Sequence, residues 1–406
     1  MSTTKVQIPE GMQDILSGEC VRKRCVEQQL RTLFSRSGFA EIQTPLLEYY
    51  RTFDDAVYGF AAHHVWKTFD PRGRVLVIRP DNTIPCVRIA ASRLKEKRLP
   101  LRLCYVQSVA AYPSERSSVL NESTQAGVEL MGESSVLSDA EVIALSIESL
   151  KESGLKEFQI DLGQVDFFKG FMQEAGLTPE QTEEFRRYVE EKNMLSMQLL
   201  LKECAIPNEV QSRLMKLPQL YGDESVLDVA QSLTHNKLCA KAIDNLRGIL
   251  KALEDYGCRE YISIDLGMVH AANYYSGMIF RGITGYLGQP LLSGGRYDGL
   301  PGQFGREMPA TGFGLSIDLL LQALVRQGDT FASPVADFVL GATEEGLKGA
   351  ISWVRGKRQA GLSISLYYNT GKTELIRMVR EGYAKSAAIA TLEGVEIWSG
   401  EEAAWI

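Results

Sequence analysis

Three polar clusters in this chain have residue types and spacings that could do chemistry. "IRPDNT" sets Arg79, Asp81 and Thr83 where an apolar run gives way to a helical pattern. The free N–H groups of a helix start favour anions, and a carboxylate placed there could hold an ammonium group. Asp81 and Thr83 would equally serve as simple caps of that helix. In "STQAGVELMG", alternation puts Gln125, Gly127 and Glu129 on one strand face and Val128 and Leu130 on the other. A glutamine and a glutamate on one face suit a cationic or imidazole ligand, and also suit a solvated sheet face. "HAANYYSGMIFRG", residues 270–282, leads two tyrosines into an apolar strand. Continued alternation predicts that Tyr274 and Tyr275 face opposite sides, one toward the core and one toward the Gln125–Glu129 face. "SGGRYDGL" is a glycine-rich turn carrying Tyr297, without the lysine or helix of a phosphate-binding loop.

Other chemistries find little support. His63 and His64 read as a polar strand start, not as metal ligands. The seven cysteines include no Cys-x-x-Cys pair, so no metal and no cofactor are expected. Their odd, scattered placement predicts reduced, mostly buried thiols. A net charge of −7 disfavours a dedicated nucleic-acid binder, which needs clustered positive charge. The N-terminal stretch lacks the regions of a signal peptide, and no apolar run reaches the roughly 20 residues of a membrane span. The expected location is the cytoplasm, with no membrane partner.

The elements that must position these clusters follow from periodicity. "GECVRKRCVEQQLRTLFSRSG" predicts a helix with Val21, Cys25, Leu30, Leu33 and Phe34 near one face, stopped by Gly38. "FAEIQTPLLEYY" reads as a strand broken at Pro45. "HHVWKTFDPRGRVLVIRPD" reads as a hairpin, followed by a helix from Thr83 capped by Asn82 or Thr83. "LRLCYVQSVAAY" and "STQAGVELMG" are two further strands. "SDAEVIALSIESLKESG" is a capped helix, and "FQIDLG" another strand. Residues from about 177 to 257 predict an all-helical insertion. Strands resume with "YISIDLG", "YYSGMIF" and "YLGQPLLSGGRYDG", and "GFGLSIDLLLQALV" ends in a buried helix. Hairpin-linked strands with helices between them indicate an α+β domain on an antiparallel sheet over residues 1–326. Residues 327–406 alternate strand and helix as βαβαβ, a small parallel α/β domain.

Seven segments in this order resemble the class II histidyl-tRNA synthetases: "IPEGMQDILSGE", "GFAEIQTPLLE", "IRPDNT", "STQAGVELMG", "NYYSGMIF", "GGRYDGL" and "ATGFGLSIDLLL". Together they span about residues 7 to 325. The resemblance implies an antiparallel sheet flanked by helices, a dimer built around the segment at Pro45, and a histidine pocket. Its site residues carry over to Asp81, Thr83, Gln125, Glu129, Tyr274, Tyr275 and Tyr297. The family's amino-group ligands fall on Asp81 and Thr83. The C-terminal unit resembles a shortened anticodon-binding domain. Acids such as Glu344, Glu345, Glu374, Glu381, Glu401 and Glu402 balance its basic residues, so transfer RNA would meet little attraction.

Three departures matter more than the matches. Where the synthetase pattern has arginines that grip nucleotide phosphates and substrate, this chain carries Ala111, His270 and Leu319. Losing one such clamp costs on the order of 10²–10³ in rate. Arg116 and Arg281 are the nearby cations that could stand in. A synthetase-like body with an amino-acid pocket and no ATP chemistry resembles the regulatory subunits of ATP phosphoribosyltransferase. That resemblance implies a non-catalytic chain with no aminoacylation. It implies a short-form catalytic subunit as partner, L-histidine as ligand, and a homodimer within a hetero-octamer. The alternative is a divergent histidyl-tRNA synthetase or a stand-alone amino-acid ligase.

Overall fold

The computed structural model describes residues 7–9, 11–53, 65–111, 121–269, 274–330 and 334–399. The chain divides into two compact units, Met1–Asp14 with Lys23–Thr330, and Ile15–Arg22 with Phe331–Ile406. Among the described residues, no helix is long and apolar enough to cross a membrane.

Helix α1 (Ser17–Arg36), which belongs to the first unit from Lys23 onward, is followed by strands β1 (Ala40–Glu41) and β2 (Leu47–Tyr49), with Pro45 in the break between them. Hairpin strands β3 (Lys67–Phe69) and β4 (Val75–Ile78) lead to helix α2 (Thr83–Ala91) and long strands β5 (Leu101–Ala110) and β6 (Glu122–Met131). Helix α3 (Val136–Glu152) and strand β7 (Gln159–Gln164) precede α4 (Val165–Ala175), α5 (Pro179–Glu190), α6 (Met194–Glu203), α7 (Asn208–Leu214), β8 (Tyr221–Gly222), α8 (Ser225–Ser232) and α9 (Lys237–Asp255). Strands β9 (Ile262–Asp265), β10 (Met278–Ile283) and β11 (Leu292–Arg296) follow. Short helix α10 (Leu300–Gln303), strand β12 (Ala310–Ser316) and helix α11 (Ile317–Gln327) complete the unit.

The main sheet has the order β1-β5-β6-β12-β11-β10-β7-β9-β8, and β2, β4 and β3 form a separate small sheet. Hairpins and reversals make most pairs antiparallel, whereas β1–β5 and β7–β9 are parallel. β7 and β9 run parallel because the helical segment between them is long enough to cross over. On one face, Phe313 of β12 meets Phe34 of α1 edge-on at 6.1 Å and Phe280 of β10 at 6.5 Å. All three rings are buried, and truncating Phe313 to alanine would cost about 3–5 kcal/mol. The opposite face carries a second cluster that includes Val77, Ile84, Cys86, Tyr105, Ile279 and Tyr297. The polar clusters of the sequence converge on that face.

Several expectations change in detail. Val21 and Cys25 are exposed; the buried face of α1 is Val26, Leu30, Leu33 and Phe34, one turn-phase away, with Glu27 beside it. The cap of α3 is Ser135, whose side chain accepts from the Ser138 N–H. The insertion is not purely helical, since β8 joins the sheet edge beside β9. Four of the seven cysteines are buried, while Cys20 and Cys25 are exposed and Cys204 is intermediate. His63 and His64 lie outside the described residues.

The second unit contains β13 (Ala336–Ala342), α12 (Leu347–Gln359), β14 (Ile364–Tyr368), α13 (Lys372–Arg380), β15 (Ala384–Thr391) and β16 (Gly394–Ser399). Its sheet order is β14-β13-β15-β16, with the first three parallel as the βαβαβ pattern predicts. The last strand was not legible as such; it turns back antiparallel to β15. Small apolar residues on both faces of the central strands make two thin cores, one with Leu340, Val354 and Ala388, the other with Val339, Leu375 and Trp398.

Candidate functional site

Glu129 on β6 is fully buried. Its Oε1 accepts from the Tyr105 hydroxyl at 3.3 Å, and its Oε2 accepts from the Tyr297 hydroxyl. Thr83 at the start of α2 supplies a third hydroxyl contact. Burial is the main force on this carboxyl and pushes its pKa up to about 8, with Asp81 adding repulsion and the hydroxyls opposing.

Three glycines make room for this group. β5 and β6 pair Tyr105 directly with Gly127, so the tyrosine ring lies over a residue without a side chain. A Cβ at Gly127 would meet the Tyr105 hydroxyl at 2.5 Å. β12 pairs Gly312 with Glu129, where a Cβ would sit 1.9 Å from Oε2. A Cβ at Gly314 would meet the Gln125 amide nitrogen at 2.5 Å. The "ATGFGL" stretch therefore leaves a polar trough across two strands.

Asp81 closes one end of the trough. Its Oδ1 accepts from the Thr83 and Ile84 N–H groups at 2.7 and 3.3 Å, capping α2. Neither Asn82 nor Thr83 supplies the cap. Asp81 Oδ2 accepts from the Gln125 amide at 3.3 Å. One oxygen thus caps the helix, and the other lies in the polar cluster. Gln125 Oε1 in turn accepts from the Asn82 backbone and side-chain N–H groups at 3.1 and 3.0 Å, which fixes its amide orientation. Burial raises the pKa of Asp81. Arg79 takes no part in the cluster. Its buried guanidinium donates to Thr44, Gln107 and the Ser108 carbonyl, bracing the turn that carries Asp81.

The two tyrosines do not face opposite sides. They precede β10, so strand alternation does not reach them. Their ring centroids lie 4.6 Å apart, and Tyr274 meets Tyr297 edge-on at 6.1 Å. Burial pushes all three phenols up, well away from neutral titration. Gly295 allows this stacking, since a Cβ there would lie 2.8 Å from the Tyr275 ring.

Asp81, Thr83, Gln125, Tyr274, Tyr275 and Tyr297 line a narrow cavity of about 30 Å³, with Glu129 bonded to Tyr297 at its wall. That volume holds a water molecule or two. Through Gln125, Ser293 and Gly314 the cavity borders an open cleft of about 530 Å³. Ala111 lines this cleft and contributes no charge. Leu319 is buried in the first turn of α11. His270 and Arg116 lie outside the described residues. Arg281, the other expected stand-in, is taken: its guanidinium donates to Asp161 and Asp265, each at 3.1 Å. Register sets this triad, because β10 pairs Arg281 with Asp161 of β7 and Asp265 ends the next strand. Lys192 is the remaining cation among the described residues lining the cleft, with Glu190 nearby in sequence on the same lining. Among the described residues no cluster of histidine, cysteine or acid groups is placed to hold a metal.

A family model described as histidyl-tRNA synthetase matches residues 11–320. The ATP phosphoribosyltransferase regulatory subunit of Acetivibrio thermocellus is 42% identical, over 93% of this chain and 90% of its own length. That of Ruminiclostridium cellulolyticum is 39% identical, over 91% and 88%. The chain belongs to the family of ATP phosphoribosyltransferase regulatory subunits. A solved structure from Bacillus halodurans, described as an ATP phosphoribosyltransferase regulatory subunit/histidyl-tRNA synthetase, superposes with a TM-score of 0.84. It shares 33% identity over 95% of this chain and 99% of that one. Histidyl-tRNA synthetase from Nostoc superposes at 0.78 with 18% identity, covering 98% of both chains, and shows the fold alone. The expected class II synthetase-like architecture, a large sheet flanked by helices with a small α/β unit after it, is the one found.

The sequence does not single out Tyr105, and it offers Asn82 only as a candidate helix cap. The signal for Tyr105 is its register opposite Gly127, which needs the strand pairing. The signal for Asn82 is its place inside "IRPDNT", between two residues that were noted.

Proposed function

We propose that this chain is a non-catalytic subunit that binds histidine and acts on a short-form ATP phosphoribosyltransferase catalytic subunit. It activates that partner and helps end-product histidine inhibit it in the first step of histidine biosynthesis. One contrast carries the reading. Asp81, Glu129, Gln125 and the tyrosines form a compact polar pocket suited to a small cationic amino acid. In the adjoining cleft Ala111 offers no charge and Arg281 is committed to two aspartates, while Leu319 is a buried apolar residue. Charge on a transferring phosphoryl group needs free, aimed cations. The names of the relatives agree with a regulatory role.

In this reading Asp81 and Thr83 take the ligand's amino group, and Glu129 with the tyrosines takes the remainder. An amino acid does not fit in about 30 Å³, so a wall must shift on binding. Asp81, Tyr274, Tyr275 and Tyr297 are the lining residues outside any strand or helix. A shift of that kind gives the partner two states to distinguish. The coupling between two such sites is typically about 1–3 kcal/mol, on the order of 5–150-fold in affinity. The chain acts as a homodimer within a hetero-octamer.

The test is co-purification with a short-form catalytic subunit, followed by assay with and without histidine. Stimulation by this chain, and inhibition by histidine that needs it, are expected. Histidine-dependent ATP–pyrophosphate exchange by the chain alone at synthetase-like speed would replace this reading with the synthetase alternative.

A further inference from the structure

We propose that ligand capture in this pocket exchanges a proton for a cation: the positive group of the ligand displaces a proton that Glu129 holds in the empty site. The proposal rests on the histidine-pocket reading above and adds the charge bookkeeping that such a pocket requires.

The argument starts from what surrounds Glu129. Thr83 and Cys86 face it from α2, Asp81 from the turn before α2, and Tyr105 from β5. Tyr274 and Tyr275 face it from the segment before β10, Tyr297 from the end of β11, and Gly312 from β12. Those groups are neutral or acidic. Two carboxylates, Asp81 and Glu129, therefore share a buried space in which the described neighbours supply no cation. Keeping both ionised there is costly, so one of them holds a proton.

The hydrogen-bond partners decide which one. Asp81 accepts from the Thr83 and Ile84 backbone N–H groups and from the Gln125 amide. N–H groups only donate, so they favour the ionised form of Asp81. Glu129 is met by hydroxyls, from Tyr105, Tyr297 and Thr83. A hydroxyl can turn and accept, so a protonated Glu129 keeps its partners satisfied. Burial holding the Glu129 carboxyl near 8 points the same way.

When a ligand brings its ammonium group to Asp81, it balances one of the two carboxylate charges in the shared space, and the reason for keeping the proton disappears. The Glu129 O–H bond breaks, the proton leaves to solvent, and the carboxylate remains to face the ligand's charge. Nothing is oxidised or reduced. Histidine affinity then rises with pH over the range in which the empty site is protonated, and levels off above about pH 8. Imidazole itself titrates near 6.5, so the informative window lies above roughly pH 7.

The experiment is calorimetric titration of the full chain with L-histidine at about pH 7.5, in phosphate and in Tris, whose ionisation heats differ. At that pH the imidazole is largely neutral, and the ammonium held by Asp81 keeps its proton, so released protons report on the protein. The expected result is release of a large fraction of one proton per histidine bound. Tyr297→Phe removes a donor to the carboxylate and should move the affinity–pH midpoint upward. Glu129→Gln should bind without proton release if it binds at all. Wild-type binding without proton release overturns the proposal and leaves the histidine pocket standing. So does a Tyr297→Phe profile that weakens uniformly without moving along the pH axis, which is what a merely structural role would give. A wild-type chain that binds no histidine at any pH removes the pocket reading, and this proposal with it.

Discussion

Glu129 on β6 and Arg281 on β10 belong to one sheet with two strands between them. Their surroundings treat charge in opposite ways. Around Glu129 the backbone is pared to glycine at three positions so that hydroxyls and carboxyls can crowd together with no cation among the described neighbours. Around Arg281 two buried aspartates settle the charge completely, although the guanidinium is a third exposed to an open cleft. The acidic end is left wanting a positive partner, and the open end wants nothing. In the proposed reading the closed end is the one that takes a cationic ligand.

That contrast can be attacked at either end. The largest effect is expected from Arg281→Met, which leaves Asp161 and Asp265 facing one another. Stranding buried charge costs about 3–5 kcal/mol, read by urea unfolding, while histidine affinity measured by calorimetry should stay within about threefold. A large loss of histidine binding would mean that the two ends are not separate. Next comes Gly312→Ala, whose Cβ would meet Glu129 Oε2 at 1.9 Å and the Val128 carbonyl at 2.4 Å. Overpacking there should cost about 1–3 kcal/mol and remove histidine binding. Gly285→Ala, with open space around it, is the control and should do neither.

A third effect is spread over pH. The pKa of Glu129 is raised on folding, from 4.5 to about 8. Its contribution is therefore fully present below about 4.5 and is lost as pH rises toward 8. Unfolding free energy of the ligand-free chain should fall across that window by on the order of 1 kcal/mol per pH unit from this group. The Glu129→Gln variant should show a correspondingly flatter curve; identical slopes would remove Glu129 as the source. Glu129→Ala and Tyr275→Ala should both weaken histidine binding, and unchanged affinity in the two variants would remove the pocket assignment. The smallest effect is at the open end. Asp265→Asn releases part of the hold on Arg281 and should raise binding of a fluorescent ATP analogue by about fivefold, near 1 kcal/mol. No change would show that the cleft rejects nucleotides for a reason other than its settled charge.

Much of this was legible because a strand alternates with period two. Gln125, Gly127 and Glu129 fall on one face in the sequence and do so in the sheet. The helix start at Thr83 and the break at Pro45 were readable from the chain alone. Tyr274 and Tyr275 were misplaced because the alternation was extended into a segment that is not a strand. The exposed Val21 and Cys25 were misplaced by choosing a neighbouring helical phase on a helix with apolar residues on more than one side. The fate of Arg281 could not be read at all, since its partners lie 120 and 16 residues away.

The amino-acid order by itself determined most of the strands and helices, the shared face of Gln125, Gly127 and Glu129, and which arginines are missing. Those are local matters, decided by spacing along one chain and by side-chain type. Tertiary structure alone decided that Tyr105 reaches Glu129 over Gly127, that Gln125 is oriented by Asn82, and that Arg281 is spoken for. The first and the last depend on the register between strands, and a shift of one residue would turn those side chains to the other face; the second depends on where the helix at Thr83 starts against β6.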